Sequence, residues 1–184
     1  MKPGNHKYVA FLRGINVGGH HKVPMADLKT EMGKLNCESV ITILNSGNII
    51  FEHKEADIST LESRIKEQLE KAFGFPIPTL LRKAETITNL HAAEPFEDIA
   101  VTKDIRLYVS FLQEEKEEKL SLPYTNEDNS FQILEKADRV IISVLDLAGS
   151  KTPKAMGILE KIYGKDITTR NWKTIIRIIK KLEA

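Results

Sequence analysis

The chain has 184 residues, of which 41% are hydrophobic and 29% are charged, so it can bury a core of ordinary size. This composition excludes a disordered, collagen-like or purely coiled-coil protein. The formal charge is only +1, and the single cysteine, Cys37, excludes a disulfide within the chain. No apolar run reaches the roughly 20 residues of a membrane span, and no apolar signal core follows the first residues. We therefore expect a cytoplasmic protein that makes no membrane contact.

Charge is distributed unevenly along the chain. Residues 85–136 contain 5 basic and 12 acidic side chains, whereas residues 150–184 contain 9 basic and 3 acidic ones. The acidic middle and the basic end either attract each other within the fold or serve an anionic partner, and we favour the first interpretation.

The first 83 residues predict the element order β-α-β-β-α-β. Two amphipathic helices, one with Pro24 at its first helical position and one ended by Gly74, separate the apolar runs. The spacing of Ser59 and Glu62 predicts a capping box at the start of the second helix. Asn45–Gly47 predicts a tight hairpin, since these residue types tolerate positive φ. The predicted strands cover residues 7–13, 39–44, 48–53 and 78–83.

The same order recurs in the second half of the chain. We expect an acidic helix near Glu114–Leu120 and another helix from Thr152 to Gly164, which lie between predicted strands. The first strands of the two halves also resemble each other, since Tyr8–Leu12 is similar to Tyr108–Leu112. The predicted strands cover residues 105–112, 131–135, 139–145 and 167–169.

These patterns predict an α+β protein built from duplicated ferredoxin-like βαββαβ units with an extra C-terminal helix. Residues 1–83 form the first unit. Residues 84–103 form a connector with a short helix near Glu85–Ala93, and residues 104–184 form the second unit with the final helix.

The final helix, Asn171–Leu182, is strongly amphipathic. We expect it to dock on the core and to leave its basic face in solvent, and a nucleic-acid or membrane contact is the alternative. The apolar face contains Trp172, Ile175, Ile176, Ile179 and Leu182. The opposite face contains Lys173, Arg177, Lys180 and Lys181.

The split topology brings two polar segments together, because the loop Gly14–Val23 and the hairpin Asn45–Asn48 lie at the same end of the first sheet. The loop precedes a helix N-terminus, where free N–H groups and the helix dipole favour an anion. Alternatively, the glycines only shape a tight turn that the polar groups cap. Gly18 and Gly19 would allow close approach of the backbone to a ligand. The polar contributors are Arg13, Asn16, Lys22, Ser46 and Asn48.

Several specific chemistries are excluded at this loop. His20 and His21 stand where a phosphate-binding NTPase loop needs Lys and then Ser or Thr. Neighbouring histidines without a Cys or carboxylate cluster do not make a metal site, so we expect neither a metal nor a cofactor. Ser46 lacks the Gly-x-Ser-x-Gly context of a catalytic serine. Phe11 and Phe51 lack the sequence context of RNA-stacking aromatics, so we expect them in the core.

Four sequence blocks together resemble the bacterial family of domain of unknown function 1697. They are Leu12–Gly19, Lys22–Met25, Ser46–Asn48 and Thr169–Trp172. The resemblance implies a duplicated ferredoxin-like α+β structure and no established activity. The chain departs from the family pattern at His21, where Asn is common, and at Asn45, where Gln is common.

The resemblance adds Thr169, Arg170 and Asn171 to the candidate site. If Arg170 belongs with the glycine loop, one site is shared between the two units. Alternatively, Thr169 caps the last helix and Arg170 pairs with a core carboxylate.

The leading functional hypothesis is a module, or an enzyme of unrecognised type, that binds a small phosphate- or carboxylate-bearing ligand at the loop. One alternative is a nucleic-acid-binding protein that uses the basic residues 150–184, although the acidic residues 85–136 would repel the same ligand. Another is a structural or regulatory protein-interaction module. The sequence does not predict an oligomeric state.

Overall fold

The computed structural model describes residues 4–117 and 120–184. Over these residues the chain forms five helices and nine strands, and the strands make two antiparallel sheets. The predicted α+β class is therefore confirmed. The chain divides into two compact units. One contains the described residues up to Ala92 together with Arg177–Ala184, and the other is Ala93–Ile176.

The sheet of the first unit has the order β2-β3-β1-β4, with every neighbouring pair antiparallel. Strand β1 therefore lies in the centre, and its loop to α1 emerges at the end where β2 turns into β3. The elements are β1 (His6–Leu12), α1 (Met25–Lys34), β2 (Glu38–Ile43), β3 (Asn48–His53), α2 (Ile58–Phe73), β4 (Thr79–Lys83) and α3 (Ala84–Ala92).

The core of the first unit lies between one face of this sheet and the helices α1 and α2. Alternate residues of β1 point into it, as the two-residue period of a strand requires. Phe51 and Cys37 belong to the same core, and Phe11 is fully buried. The principal members are Tyr8, Ala10, Leu12, Leu28, Met32, Ile49, Leu61, Ile65, Leu69 and Leu81.

The helix ends of the first unit differ from the sequence prediction in two places. The capping box is wrong, because Asp57 caps α2 and accepts the Thr60 N–H at 2.7 Å. The Glu62 carboxylate instead turns into the unit and accepts the Leu81 N–H at 2.9 Å. Pro24 lies one position earlier than predicted, as the extended residue before Met25. Gly74 ends α2 at φ +79°, as predicted.

The sheet of the second unit has the order β6-β7-β8-β5-β9, again with antiparallel neighbours. Helix α4 packs on one face over a core of Tyr108, Leu112, Phe131, Ile141, Leu145, Leu159 and Tyr163. The elements are β5 (Ile105–Leu112), β6 (Tyr124–Thr125), β7 (Phe131–Ala137), β8 (Val140–Asp146), α4 (Thr152–Tyr163) and β9 (Ile167–Asn171). The last helix, α5 (Trp172–Leu182), begins in this unit, and its residues from Arg177 onward belong to the first unit.

The acidic helix predicted near Glu114–Leu120 is wrong for the described part of that segment. Residues 114–117 and 120 lie in no helix, and residues 118–119 are outside the described part of the chain. The segment offers one apolar residue, Leu120, and a short helix without an apolar face has nothing to stabilise it. The two-residue strand β6 follows it and escaped prediction.

Helix α5 begins one residue later than predicted, because Asn171 is the last residue of β9. Its buried residues are Ile175, Ile178 and Ile179, so the apolar face is centred slightly differently from the prediction, which omitted Ile178. The predicted basic face is exposed. Among the described residues, no helix combines the length and the apolar character needed to cross a bilayer.

Candidate functional site

The loop after β1 and the hairpin between β2 and β3 are neighbours, as predicted. The Leu12 N–H donates to the Gly47 carbonyl at 2.7 Å, and the Arg13 N–H donates to the Pro78 carbonyl at 2.8 Å. These two bonds attach the end of β1 to the residue before β3 on one side and to the residue before β4 on the other. The two polar segments, whose residues Asn16 and Asn45 are 29 positions apart in sequence, therefore share one end of the first unit.

Asn16 joins the loop to the hairpin through its side-chain amide. Its Nδ2 donates to the carbonyls of Asn45 at 2.9 Å and Val23 at 3.0 Å, and its Oδ1 accepts the Val23 N–H at 2.8 Å. Asn16 has φ +54°, a conformation that asparagine tolerates better than most residues. Its amide is thus engaged with backbone groups and positions the loop.

The tip of the loop is a tight turn. Gly18 and Gly19 have φ +60° and +80°, and the His20 N–H donates to the Val17 carbonyl at 3.1 Å. Positive φ at both central residues is typical of a type I′ turn. The two glycines therefore shape this turn, which agrees with the alternative interpretation of the motif.

His21 contacts Phe75 and Gly14 on the side of the loop away from the hairpin. Its ring stacks on Phe75 with centroids 4.4 Å apart and planes inclined by 17°, and its Nδ1 lies 3.2 Å from the Gly14 carbonyl. The loop is therefore held on one side by Asn16 and on the other by His21, although His21 remains exposed.

A cleft of about 510 Å³ lies between the loop, the hairpin and the start of α1. We call it the loop cleft. Asn16, Gly19 and Lys22 of the predicted site line it. Pro24, which precedes α1, has no side-chain group that could cap the first N–H groups of the helix. The other lining residues lie outside the predicted site and are His20, Val23, Pro24, Met25 and Asn45.

Four other predicted site residues are not among the residues that line the loop cleft: Arg13, Gly18, Ser46 and Asn48. Asn48 is fully buried, and its amide donates to the Ile43 carbonyl at 2.9 Å and to Ser46 Oγ at 3.1 Å. These bonds close the hairpin. Arg13 is half-buried at the base of the loop.

The residues Thr169, Arg170 and Asn171 lie in β9, within the second unit. Thr169 Oγ1 lies 2.7 Å from Ser110 Oγ across the sheet, so it does not cap α5 as the alternative interpretation proposed. Asn171 accepts the Lys173 N–H at 2.9 Å beside the start of α5. The loop cleft belongs to the first unit, and a site shared with Arg170 stays a prediction.

Arg170 is held by its own strand. Its Nη1 donates to Thr168 Oγ1 at 2.9 Å and to the Thr169 carbonyl at 3.0 Å. Burial lowers the pKa of the guanidinium to about 10, because the charged form loses solvation. The group still carries its charge at neutral pH.

A second cleft of about 520 Å³ lies at the opposite end of the first sheet and was not predicted. It contains both carboxylates and cations. The nearly buried His53 ring satisfies both nitrogens there, with Nε2 3.1 Å from the Leu35 carbonyl and Nδ1 accepting the Glu55 N–H at 2.9 Å. The lining residues are Asn5, Asn36, Glu38, His53, Lys54, Glu55 and Arg64.

Metal-ligating side chains do not gather in the described part of the chain, where no group of three His, Cys, Asp or Glu residues could hold an ion. Cys37 is buried, and burial raises the pKa of its thiol to about 12. A thiol with so high a pKa is a poor nucleophile at neutral pH.

Comparison with known proteins gives a family and a fold. No curated protein matches the chain. A solved structure, that of the conserved bacterial protein SP0830 from Streptococcus pneumoniae, is similar with a TM-score of 0.71 and 25% sequence identity, covering 98% of this chain and 99% of that one. The model of the family described as "Protein of unknown function (DUF1697)" matches residues 6–141, and the chain belongs to that family, as the sequence blocks predicted.

Proposed function

We propose that the protein binds a small phosphate- or carboxylate-bearing ligand in the loop cleft. The proposal is supported by one observation, a cleft of about 510 Å³ that lies at the start of α1 and has Lys22 in its lining. A volume of this size is within the range of small-molecule sites in proteins.

The positive charges around the loop cleft lie at the start of α1 and at Lys22, and they favour binding of an anion there. The first N–H groups of α1 carry partial positive charge, and Lys22 adds a full charge on an exposed side chain. Asp27, in the first turn of the helix, opposes this field. Attraction of an anion therefore depends on Lys22.

The remaining lining is suited to the uncharged part of a ligand. Pro24 and Met25 provide apolar surface, and the amide side chain of Asn45 provides a polar group. The amide of Asn16 is hydrogen-bonded to backbone groups of Val23 and Asn45, so its role in the proposed site is to position the loop.

Isothermal titration calorimetry with inorganic phosphate and with a panel of sugar phosphates and nucleoside monophosphates tests this function. A charge-assisted contact contributes about 1.5–3 kcal/mol, so Lys22→Ala should weaken binding by about tenfold or more while leaving Tm nearly unchanged. Lys29→Ala is the matched control, because Lys29 is an exposed lysine of α1 outside the cleft. If the wild-type protein binds none of these compounds, or if both variants lose affinity equally, the proposed function is wrong.

We also propose that the two units arose by duplication of one ferredoxin-like βαββαβ unit. The strand orders β2-β3-β1-β4 and β7-β8-β5-β9 support this, because they correspond position by position. The hydrogen bonds at the ends of the central strands correspond too. Leu12 N–H to Gly47 carbonyl at 2.7 Å parallels Leu112 N–H to Arg139 carbonyl at 2.9 Å.

The correspondence extends to an arginine at the same position of the edge strand in each unit. Arg82 lies opposite Val9 in the β1–β4 pairing, as Arg170 lies opposite Val109 in the β5–β9 pairing. Each guanidinium donates to the carbonyl of the preceding residue, at 2.7 Å and 3.0 Å. This parallel supports a structural role for Arg170, since Arg82 has no place in the predicted site.

Helix α1 has no counterpart among the described residues of the second unit. The loop cleft needs the start of α1, so we propose one ligand site for each chain.

We further propose a cytoplasmic location, which a buried cysteine outside any disulfide supports.

A further inference from the structure

We propose that helix α5 binds the phosphodiester backbone of a nucleic acid through a basic stripe. The stripe consists of Lys173, Arg177, Lys180 and Lys181, all of which are exposed. Their spacing of four, three and one residues places them on one side of the helix, within about 12 Å along its axis.

The four cations of the basic stripe have no anionic partner within the part of the chain that the structure describes. Their side chains form no ion pair and no hydrogen bond there. Other lysines of the molecule do find partners. Lys34 pairs with Glu31 at 2.7 Å, and Lys66 pairs with Glu62 at 3.0 Å. Four like charges in one row repel each other, and an external polyanion would relieve that repulsion.

The basic stripe lies on a helix whose other face is buried. Ile175, Ile178 and Ile179 are at most 3% exposed, so the opposite face of α5 is already packed in the protein. The helix therefore needs no ordering when it binds a partner. The same burial argues against a membrane, because an interfacial helix must place its apolar face among the lipids.

The composition of α5 favours recognition of the backbone over recognition of bases. The helix contains no acidic residue. Its one aromatic residue, Trp172, is half-buried and packs edge-on against Phe96 with ring centroids 5.2 Å apart. Without an available stacking platform, binding would depend on phosphate contacts and would be independent of sequence.

Two carboxylates of the acidic segment of residues 85–136 form ion pairs within the second unit. Glu115 pairs with Lys136, and Asp128 pairs with Lys154 of α4. The second of these pairs joins the acidic middle to the basic end of the chain. No residue of the basic stripe is used in either pair.

Fluorescence anisotropy with the full chain and a labelled RNA of about 20 nucleotides tests the proposal, and a DNA duplex of similar length serves as a second probe. With four phosphate contacts, affinity for the single strand should fall about 50-fold between about 50 and 200 mM salt. Arg177→Glu/Lys181→Glu should lose most of the binding at the lower salt concentration. Lys29→Glu/Lys103→Glu makes the same charge change at exposed sites outside the stripe and should retain it.

Circular dichroism checks that both double variants are folded, and Arg177→Gln/Lys181→Gln replaces the first if it is not. Absence of a complex at tens of micromolar protein and low salt would overturn the proposal. Equal loss in stripe and control variants would do the same, since it would indicate general charge. Binding to phosphatidylserine vesicles without binding to either oligonucleotide would overturn it in favour of a membrane.

Discussion

At Gly47 the hairpin leaves no room for a side chain. A Cβ there would lie 2.6 Å from Leu12 Cβ and 2.9 Å from Ile15 Cδ1, and the backbone has φ +76°. Gly18 has a similar φ of +60°, but a Cβ there would meet nothing within 4 Å. Substitution of Gly18 therefore measures backbone strain alone, whereas substitution of Gly47 adds the clash of the new Cβ with Leu12 and Ile15.

We expect Gly47→Ala to lower the free energy of unfolding by about 3 kcal/mol or more, because the strain and the overpacking add. Gly18→Ala should cost about 1 kcal/mol from strain alone. Urea unfolding measures both values. Equal losses in the two variants would contradict the collision at Gly47.

Two buried serines of the second sheet differ in their hydrogen bonding. Ser143 is fully buried, and its Oγ has no hydrogen-bond partner among the described residues. Ser110 is equally buried, and its Oγ lies 2.7 Å from Thr169 Oγ1. Burial of an unpaired hydroxyl destabilises a fold, whereas a paired hydroxyl roughly recovers its lost hydration.

Ser143→Ala should therefore leave stability unchanged or raise it by up to about 1 kcal/mol, and Ser110→Ala should lower it by about 1–2 kcal/mol. Differential scanning calorimetry at neutral pH checks the pair. A clear loss of stability in Ser143→Ala would show that its hydroxyl has a structural role.

Some of these residue roles could be predicted from the sequence and others could not. The role of Gly47 in the turn could be predicted, because a tight turn between two strands needs a positive φ at a small residue. The role of Asn16 could not, since its three bonds exist only after the loop folds back on residues 23 and 45. Ser143 gives no sequence signal, because its strand is apolar on both sides.

Among the elements, the loop after β1 depends on one side chain for its attachment to the hairpin. Asn16→Asp keeps the size of the side chain and the acceptor for the Val23 N–H. It removes the amide donor that serves two carbonyls and places a carboxylate beside them. Asn45→Asp is the matched control, because Asn45 contributes its backbone carbonyl.

We expect Asn16→Asp to lower the free energy of unfolding by about 1–3 kcal/mol, since two hydrogen bonds are lost and the new carboxylate oxygen is repelled by the carbonyls. Asn45→Asp should stay within about 0.5 kcal/mol of the wild type. Guanidinium titration of the three proteins measures this. If the two variants are equally stable, Asn16 does not hold the loop.

The strands and long helices were predictable because their apolar periodicity is strong. Strand β3 and strand β5 have the predicted bounds, and α2 ends at the predicted Gly74. The start of α2 was not predictable, because Asp57 and Ser59 are equally suitable helix-capping residues. The Glu62 carboxylate, which a capping box requires at the helix start, accepts the Leu81 N–H instead. The prediction of an acidic helix was wrong because a short helix without an apolar face has no packing to stabilise it.

At the scale of the whole molecule, the sequence predicted two similar units and the structure describes two antiparallel sheets. It did not predict that the two units differ at the proposed ligand site. Helix α1 and its glycine loop belong to the first unit, whereas the described part of the corresponding segment in the second unit is not helical. A helix was predicted there because the element order of the first unit has one at that position.

The central claim, that a small anion binds in the loop cleft, is tested most directly by an NMR titration of the ¹⁵N-labelled protein with inorganic phosphate. Saturable amide shifts should concentrate at Gly19, Lys22 and Met25–Asp27, because these groups line the cleft or form the first turn of α1. Amides around His53, in the second cleft, provide an internal control and should not move. Shifts confined to the second cleft, or no saturable shift at tens of millimolar phosphate, would contradict the account.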